Sequence, residues 1–387
     1  MIILSGIAAT TRGGTGRLLL GMIDETRAKG LDVSFLYVGN RANVARSLVL
    51  RNPIAVGHHA LLHYWRRASR RLLLRRENIL DAPRLLVLHP QEIGTRWLDA
   101  LITRRALRGR VTELFVLDTS FFCIRSYNKL DGENRPCLRC LYEGVGEAKR
   151  FGCHPFPIRD KWATTFVGRL RDHARSGRVA FWTQTEGHRE LLKLFAGSAA
   201  IAHVAGLWTD DFDDNESRFP AVAPLADVVY HGSWHEAKGA NWAVSLATAM
   251  PERTFLFPCR KPTNTAAPPN VIFRSLSWDS GLAEQVQATP LCLVPSLWTA
   301  PIEGALVKSI AHAPATAVVS APYAFGEELP DGLVLRLPAD VGEAASVLRR
   351  DRSWSVDTDL RASWVRSFKM ANSNLLERIL GCPFESD

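Results

Sequence analysis

Short apolar runs recur along the whole chain, and each is followed by a longer stretch in which apolar residues return every three or four positions. That alternation restricts the architecture more than any other feature. An apolar run between amphipathic helices is buried on both faces, and strands joined by helices pair in parallel. The runs fall in IILSGIA, VSFLYVG, RLLVLH, LFVLD, VAFWTQ, VVYHG, TFLFP, LCLVPS and TAVVSA, which predicts an α/β chain. With 387 residues, 47% of them hydrophobic, there is material for two cores. The segment GLWTDDFDDNESRFPAVAPLAD, residues 206–227, breaks the rhythm with acidic residues, prolines and no periodicity, and reads as a linker. Residues 1–208 and 226–365 then form two α/β halves. The helical pattern in 366–387 either caps the second half or crosses back to the first.

No apolar stretch reaches the ~18 residues of a membrane span. MIILSGIAATTRGGTGR lacks a basic leader and runs into a glycine-rich loop, so it reads as a first core strand, and the expected compartment is cytoplasmic. The net charge of +9 calls for an anionic partner. Much of it lies in LLHYWRRASRRLLLRREN, residues 61–78, where Arg66, Arg67, Arg70, Arg71, Arg75 and Arg76 fall on one helical side and Leu61, Leu62, Tyr64, Trp65, Leu72, Leu73 and Leu74 on another. Such a helix suits an anionic membrane surface, making the protein peripheral on the inner face; the alternative is a solvated face. Nucleic acid is not the expected partner, because aromatic and basic residues do not interleave outside this segment.

Three places carry candidate binding chemistry. In SGIAATTRGGTGRLLLGMIDE a strand meets Gly13, Gly14 and Gly16 and then a helix, so backbone amides can face a phosphate; a plain tight turn explains the same glycines. In VVYHGSWHEAKGANWAVSLATAM a strand is followed by Gly232, Ser233 and Lys238-Gly239 at the mouth of the next helix, where α/β sheets bind ligands. A lysine exposed in a loop is the alternative; on either reading its removal is expected to leave the melting temperature nearly unchanged. In CLVPSLWTAPIEGALVKSIAH a strand ends at Pro295-Ser296 and a helix is expected to start near Pro301, with Glu303 in its first turn and Gly304 and Lys308 behind it. Glu303 either complements the helix dipole or holds sugar or ribose hydroxyls. His89 and Asp118 directly follow apolar strands and are candidates for general acid or base.

Four of the seven cysteines lie close together: Cys123, Cys137, Cys140 and Cys153, spaced C-x13-C-x2-C-x12-C. A C-x2-C pair lets two thiolates grip one zinc ion, and four sulfurs would staple a long loop, with His154 as a possible substitute. Reduced thiols packing the base of the loop are the alternative.

Residues 228–320 resemble the donor domain of retaining GT-B glycosyltransferases (group 1, family 4-like), which carry a G-R-x-x-x-x-K-G-like loop and a later P-S-x-x-E-G-F-G-x-x-x-x-E-A helix start. Lys238-Gly239 matches the first; Pro295-Ser296 and the strand Ala317-Val318-Val319-Ser320 match the ends of the second. Ser233 stands where the family usually has arginine, and Thr299 and Val307 where it has two glutamates. The loop at Gly13-Gly14-Thr15-Gly16 is similar to the family's GG-x-G opening, and FVLDTSFFCIRSYN…CLRC resembles an H-D-x-x-x-x-T-G-x-C…C-x-x-C pattern, with Asp118 on the aspartate, Leu117 replacing the histidine, and Cys123, Cys137 and Cys140 on the thiols. The resemblance implies two Rossmann-like domains facing across a cleft. It also implies transfer of a sugar from a nucleotide-sugar to a glycan or glycolipid acceptor in bacterial-type polysaccharide synthesis, with no cofactor needed for the transfer. Lys238 would meet the diphosphate, and Glu303 would take over one glutamate's role. Two rivals are a nucleic-acid-binding protein with a zinc-stapled loop and a non-catalytic GT-B-like scaffold.

Overall fold

The computed structural model describes residues 1–9, 14–37, 77–209, 222–263, 266–350, 354–372 and 374–382. Gly13 and almost all of the basic segment 61–78 lie outside the described residues. Two six-stranded parallel sheets organise the rest. The first contains β1 (Ile2–Ser5), β2 (Ser34–Tyr37), β3 (Leu85–Leu88), β4 (Thr112–Phe115), β5 (Val179–Thr183) and β6 (Ile201–Val204), in the order β2-β1-β3-β4-β5-β6. The second contains β7 (Val228–Tyr230), β8 (Phe255–Phe257), β9 (Val271–Phe273), β10 (Leu291–Val294), β11 (Thr316–Val319) and β12 (Leu335–Leu337), in the order β12-β11-β10-β7-β8-β9. The expected α/β architecture of two Rossmann-like halves is what the chain forms.

The apolar runs became strands because helices cover both faces. Every residue of β3, β4 and β5 is buried. Three strands have no counterpart among the runs read from the sequence: β6, β9 and β12. All three sit at sheet edges, where one side lacks a strand neighbour and all residues but Leu337 are only partly buried, so the apolar signal fades.

The helices follow from spacing and caps. In the helix Glu186–Ala196, the residues His188, Leu191, Leu192 and Phe195 fall at i, i+3, i+4 and i+7, and all four are buried. Thr185 caps its start by accepting from the His188 backbone N–H.

The last helix, Leu375–Gly381, packs on the first half. Leu375, Leu376 and Ile379 join the core of Ile3, Leu18, Met22 and Leu86. Glu25 accepts from the Leu376 and Glu377 backbone N–H groups at 3.0 and 3.1 Å, a carboxylate at a helix N-terminus. Arg84 closes the other end: it donates to the carbonyls of Ile379 and Leu380 and grips Glu113 of β4 in a fork at 2.7 and 2.8 Å. Glu113 also accepts from Trp182 Nε1 at 2.8 Å, so this buried carboxylate is fully partnered.

Candidate active site

The strand order of the second sheet fixes where a ligand can sit. From β7 the chain winds outward through β8 and β9; from β10 it winds the other way through β11 and β12. The loops leaving the adjacent strands β7 and β10 therefore part, and open α/β sheets bind ligands in the crevice so formed.

After β7 come Gly232 and the exposed Ser233, then a 3₁₀ turn over Glu236–Lys238 and the helix Ala240–Ala249. Gly239, between turn and helix, has φ 74°. A Cβ there would stand 2.0 Å from the Pro295 carbonyl oxygen, so only glycine lets this loop lie against the one after β10. Tyr230 Oη lies 2.7 Å from the Ser233 carbonyl and 3.1 Å from that of Lys238, and holds the loop from beneath.

After β10, the helix begins at Gly304 rather than near Pro301, with Glu303 at its N-cap position. Glu303 makes no side-chain capping bond to its own helix. Its carboxylate instead receives Lys238 Nζ on one oxygen and Ser296 Oγ on the other. The two sequence candidates from different loops thus form one ion pair, of which Glu303 is only 7% exposed. Lys238 is consequently not a removable loop lysine: truncating it leaves a buried carboxylate without its cation. Lys238 Nζ also lies 5.0 Å from the Trp298 ring centroid and 5.6 Å from that of Tyr127, an aromatic wall that favours a cation. Lys308, one turn further along the helix, sits over the Trp278 ring at 4.7 Å, and that ring stacks on His231. Val307 points into the core.

In the first half, His89 directly follows β3, whereas Asp118 stands three residues beyond the end of β4, capping the 3₁₀ turn Thr119–Phe121; the two come together, with Nε2 3.7 Å from Oδ2. His89 takes a left-handed backbone, φ 58°, as it leads into the helix Pro90–Ile93, and its Nδ1 is buried without a hydrogen-bond partner. The other Asp118 oxygen accepts from the Ser120 backbone N–H at 2.8 Å. Gly14 and Gly16 open the helix Gly14–Lys29 after β1, the strand beside β3.

The cysteine-rich loop of the first half reaches across to the crevice between the loops after β7 and β10. Tyr127 packs edge-on against Trp298 with centroids 4.6 Å apart. Buried Asn128 accepts from both the N–H and the hydroxyl of Thr299, at 3.0 and 3.1 Å. Buried Lys129 pairs with Glu236 at 2.6 Å. A second clamp comes from the helix Glu186–Ala196, whose His188 Nε2 bonds the Thr299 carbonyl at 2.6 Å. Thr299, standing where the resembled family has a glutamate, is therefore held by three hydrogen bonds from the first half. Burial lowers the His188 pKa to about 4, so the ring is neutral near pH 7 and Nε2 carries the donated proton. Glu328 closes the contact by accepting from the backbone N–H groups of Glu186 and Gly187 at 3.2 and 2.5 Å. Sequence reasoning missed Asn128, Lys129, His188 and Tyr127, because nothing in their local pattern says what lies opposite.

Cys123, Cys137, Cys140 and Cys153 are free thiols lining one small pocket. Burial pushes Cys123 up to about 12 and Cys140 to about 11. Among the described residues, no three His, Cys, Asp or Glu side chains stand at metal-ligand spacing. His154 is exposed. No helix among the described residues is long and apolar enough to cross a membrane.

No protein-family profile and no curated protein matches this sequence. Solved structures do. HepE of Anabaena, in complex with UDP, superposes with a TM-score of 0.59 at 10% identity, over 98% of this chain and 99% of that one. Sucrose-phosphate synthase from Thermosynechococcus elongatus gives 0.56 at 12%, over 98% and 96%. The lipopolysaccharide outer core galactosyltransferase WaaB, in its apo form, gives 0.57 at 11%, over 98% and 99%. At such identities the likeness establishes the fold, and the fold is GT-B.

Proposed function

We propose that the chain transfers a sugar from a nucleotide-sugar to an acceptor held between its two halves. The observation that carries this reading is the Lys238–Glu303–Ser296 constellation at the β7/β10 switch point, roofed by residues of the opposite half. A diphosphate entering there meets the Lys238 ammonium and the positive end of the helix Ala240–Ala249, both of which neutralise charge as the leaving group departs. Lys238 then exchanges Glu303 for phosphate, and the released carboxylate accepts hydroxyls of the nucleotide-sugar.

On the first half, His89 and Asp118 stand as the acid–base pair for the acceptor hydroxyl. HepE has been solved with UDP and with UDP-glucose, which supports a nucleotide-sugar as donor class for this chain. The acceptor in this reading is a glycan or glycolipid, and the basic segment 61–78 would bring the enzyme to an anionic membrane face.

A thermal-shift panel of UDP-, GDP-, ADP- and TDP-sugars tests the proposal. A donor at about 100 times its Kd adds about 2.7 kcal/mol, so one member should raise the melting temperature. A flat response to all four at millimolar concentration counts against a nucleotide-sugar transferase.

A further inference from the structure

We propose that Cys123, Cys137, Cys140 and Cys153 form a tetrathiolate site for one zinc ion, and that this ion sets the loop that clamps the donor crevice. Sulfurs from three separated stretches of chain line the same pocket, with Phe122, Ile124, Leu141 and Ala148 as its apolar surroundings. Each of the four lies within electrostatic reach of the other three. Cys137 and Cys140 have the two-residue spacing that lets one ion take both.

Two further features suit thiolates once a cation is bound. Cys123 Sγ accepts the Arg125 backbone N–H at 3.4 Å. Amide donors aimed at sulfur stabilise the anionic form and are the outer-shell partners that thiolate ligands use. The guanidinium groups of Arg125 and Arg139 act on Cys153, and these cations offset the charge of a four-thiolate centre. The sulfurs are not at ligand spacing as they stand, and the ion would have to draw them together. Four thiolates select zinc among the hard and borderline divalent ions, and Co²⁺ is its tetrahedral substitute.

The ion would lie one residue from the clamp. The Cys137 N–H donates to the Asn128 carbonyl at 2.6 Å, and Asn128 Nδ2 donates to the Cys137 carbonyl at 3.2 Å. Asn128 Oδ1 in turn holds Thr299, so the centre sets the position of Asn128 and Asn128 sets the loop after β10. This last link rests on the reading of that crevice as the donor site; the metal site itself does not.

The full-length protein, purified without chelator, is assayed for metal by mass spectrometry and then reconstituted with Co²⁺. The expected result is about one zinc per chain, falling below about 0.2 in Cys137→Ser and Cys140→Ser. Co²⁺-loaded wild type should show sulfur-to-cobalt charge-transfer bands and intense tetrahedral d–d bands, a signature that needs no variant to fold. Four titratable thiols with no metal and no cobalt spectrum overturn the proposal, as do two disulfides. Undiminished zinc in both variants places the ion elsewhere and overturns it too. Nucleotide binding enters none of these readouts, so a failed donor assay leaves the metal result intact.

Discussion

His188 ties acid stability to the contact between the halves. Its ring is fully buried and its pKa falls from 6.5 to about 4, first because burial disfavours the charged form. The unfolded chain binds a proton at this residue below about pH 6.5, while the folded chain does not until about pH 4. The contribution is therefore complete above pH 6.5 and is lost as the pH falls toward 4. At about 1.4 kcal/mol per unit, the loss reaches about 3 kcal/mol. His188→Gln keeps a donor for the Thr299 carbonyl and removes the titration. Urea denaturation of wild type and variant at pH 7.5 and pH 4.5 isolates the effect, because all other titrating groups are common to both. Wild type should lose about 3 kcal/mol more than the variant between the two pH values. Parallel losses would refute the buried, neutral assignment of His188.

Gly239→Ala forces a Cβ to within 2.0 Å of the Pro295 carbonyl at φ 74°, and should cost about 2–4 kcal/mol, read from the denaturation midpoint. Asn128→Ala strands the buried N–H and hydroxyl of Thr299, for a loss of about 1–3 kcal/mol per group. The same measurement on Lys129→Met should show a smaller loss, since its partner Glu236 is 34% exposed and can turn to water. Arg→Ala changes in residues 66–76 should weaken co-sedimentation with anionic vesicles by about 1 kcal/mol per residue, and equal pelleting with neutral vesicles would contradict a membrane role.

The sequence made the inner strands plain because burial on both faces demands unbroken apolar runs, as in Leu85–Leu88 and Leu291–Val294. Edge strands such as Leu335–Leu337, with an arginine at the centre, leave no such trace. The same contrast holds at the site. Lys238 and Glu303 were legible because strand ends and helix starts are set by local pattern, whereas their union is a long-range fact. Glu303 also showed why position alone misleads, since an acidic residue at a helix start reads as a dipole partner until its carboxylate is seen turned to Lys238. Asn128 and His188 carried no local mark, because what makes them matter is Thr299, far away in sequence.

Calorimetric titration of UDP, GDP, ADP and TDP into wild type and Lys238→Met tests directly whether Lys238 meets a diphosphate. A charge-assisted contact to phosphate contributes about 1.5–3 kcal/mol. At least one nucleoside diphosphate should bind wild type, and the variant, verified as folded by circular dichroism, should bind it about ten- to a hundredfold more weakly. Equal affinity in the two proteins, or no binding to wild type by any of the four, would contradict the assignment of this crevice as the donor site.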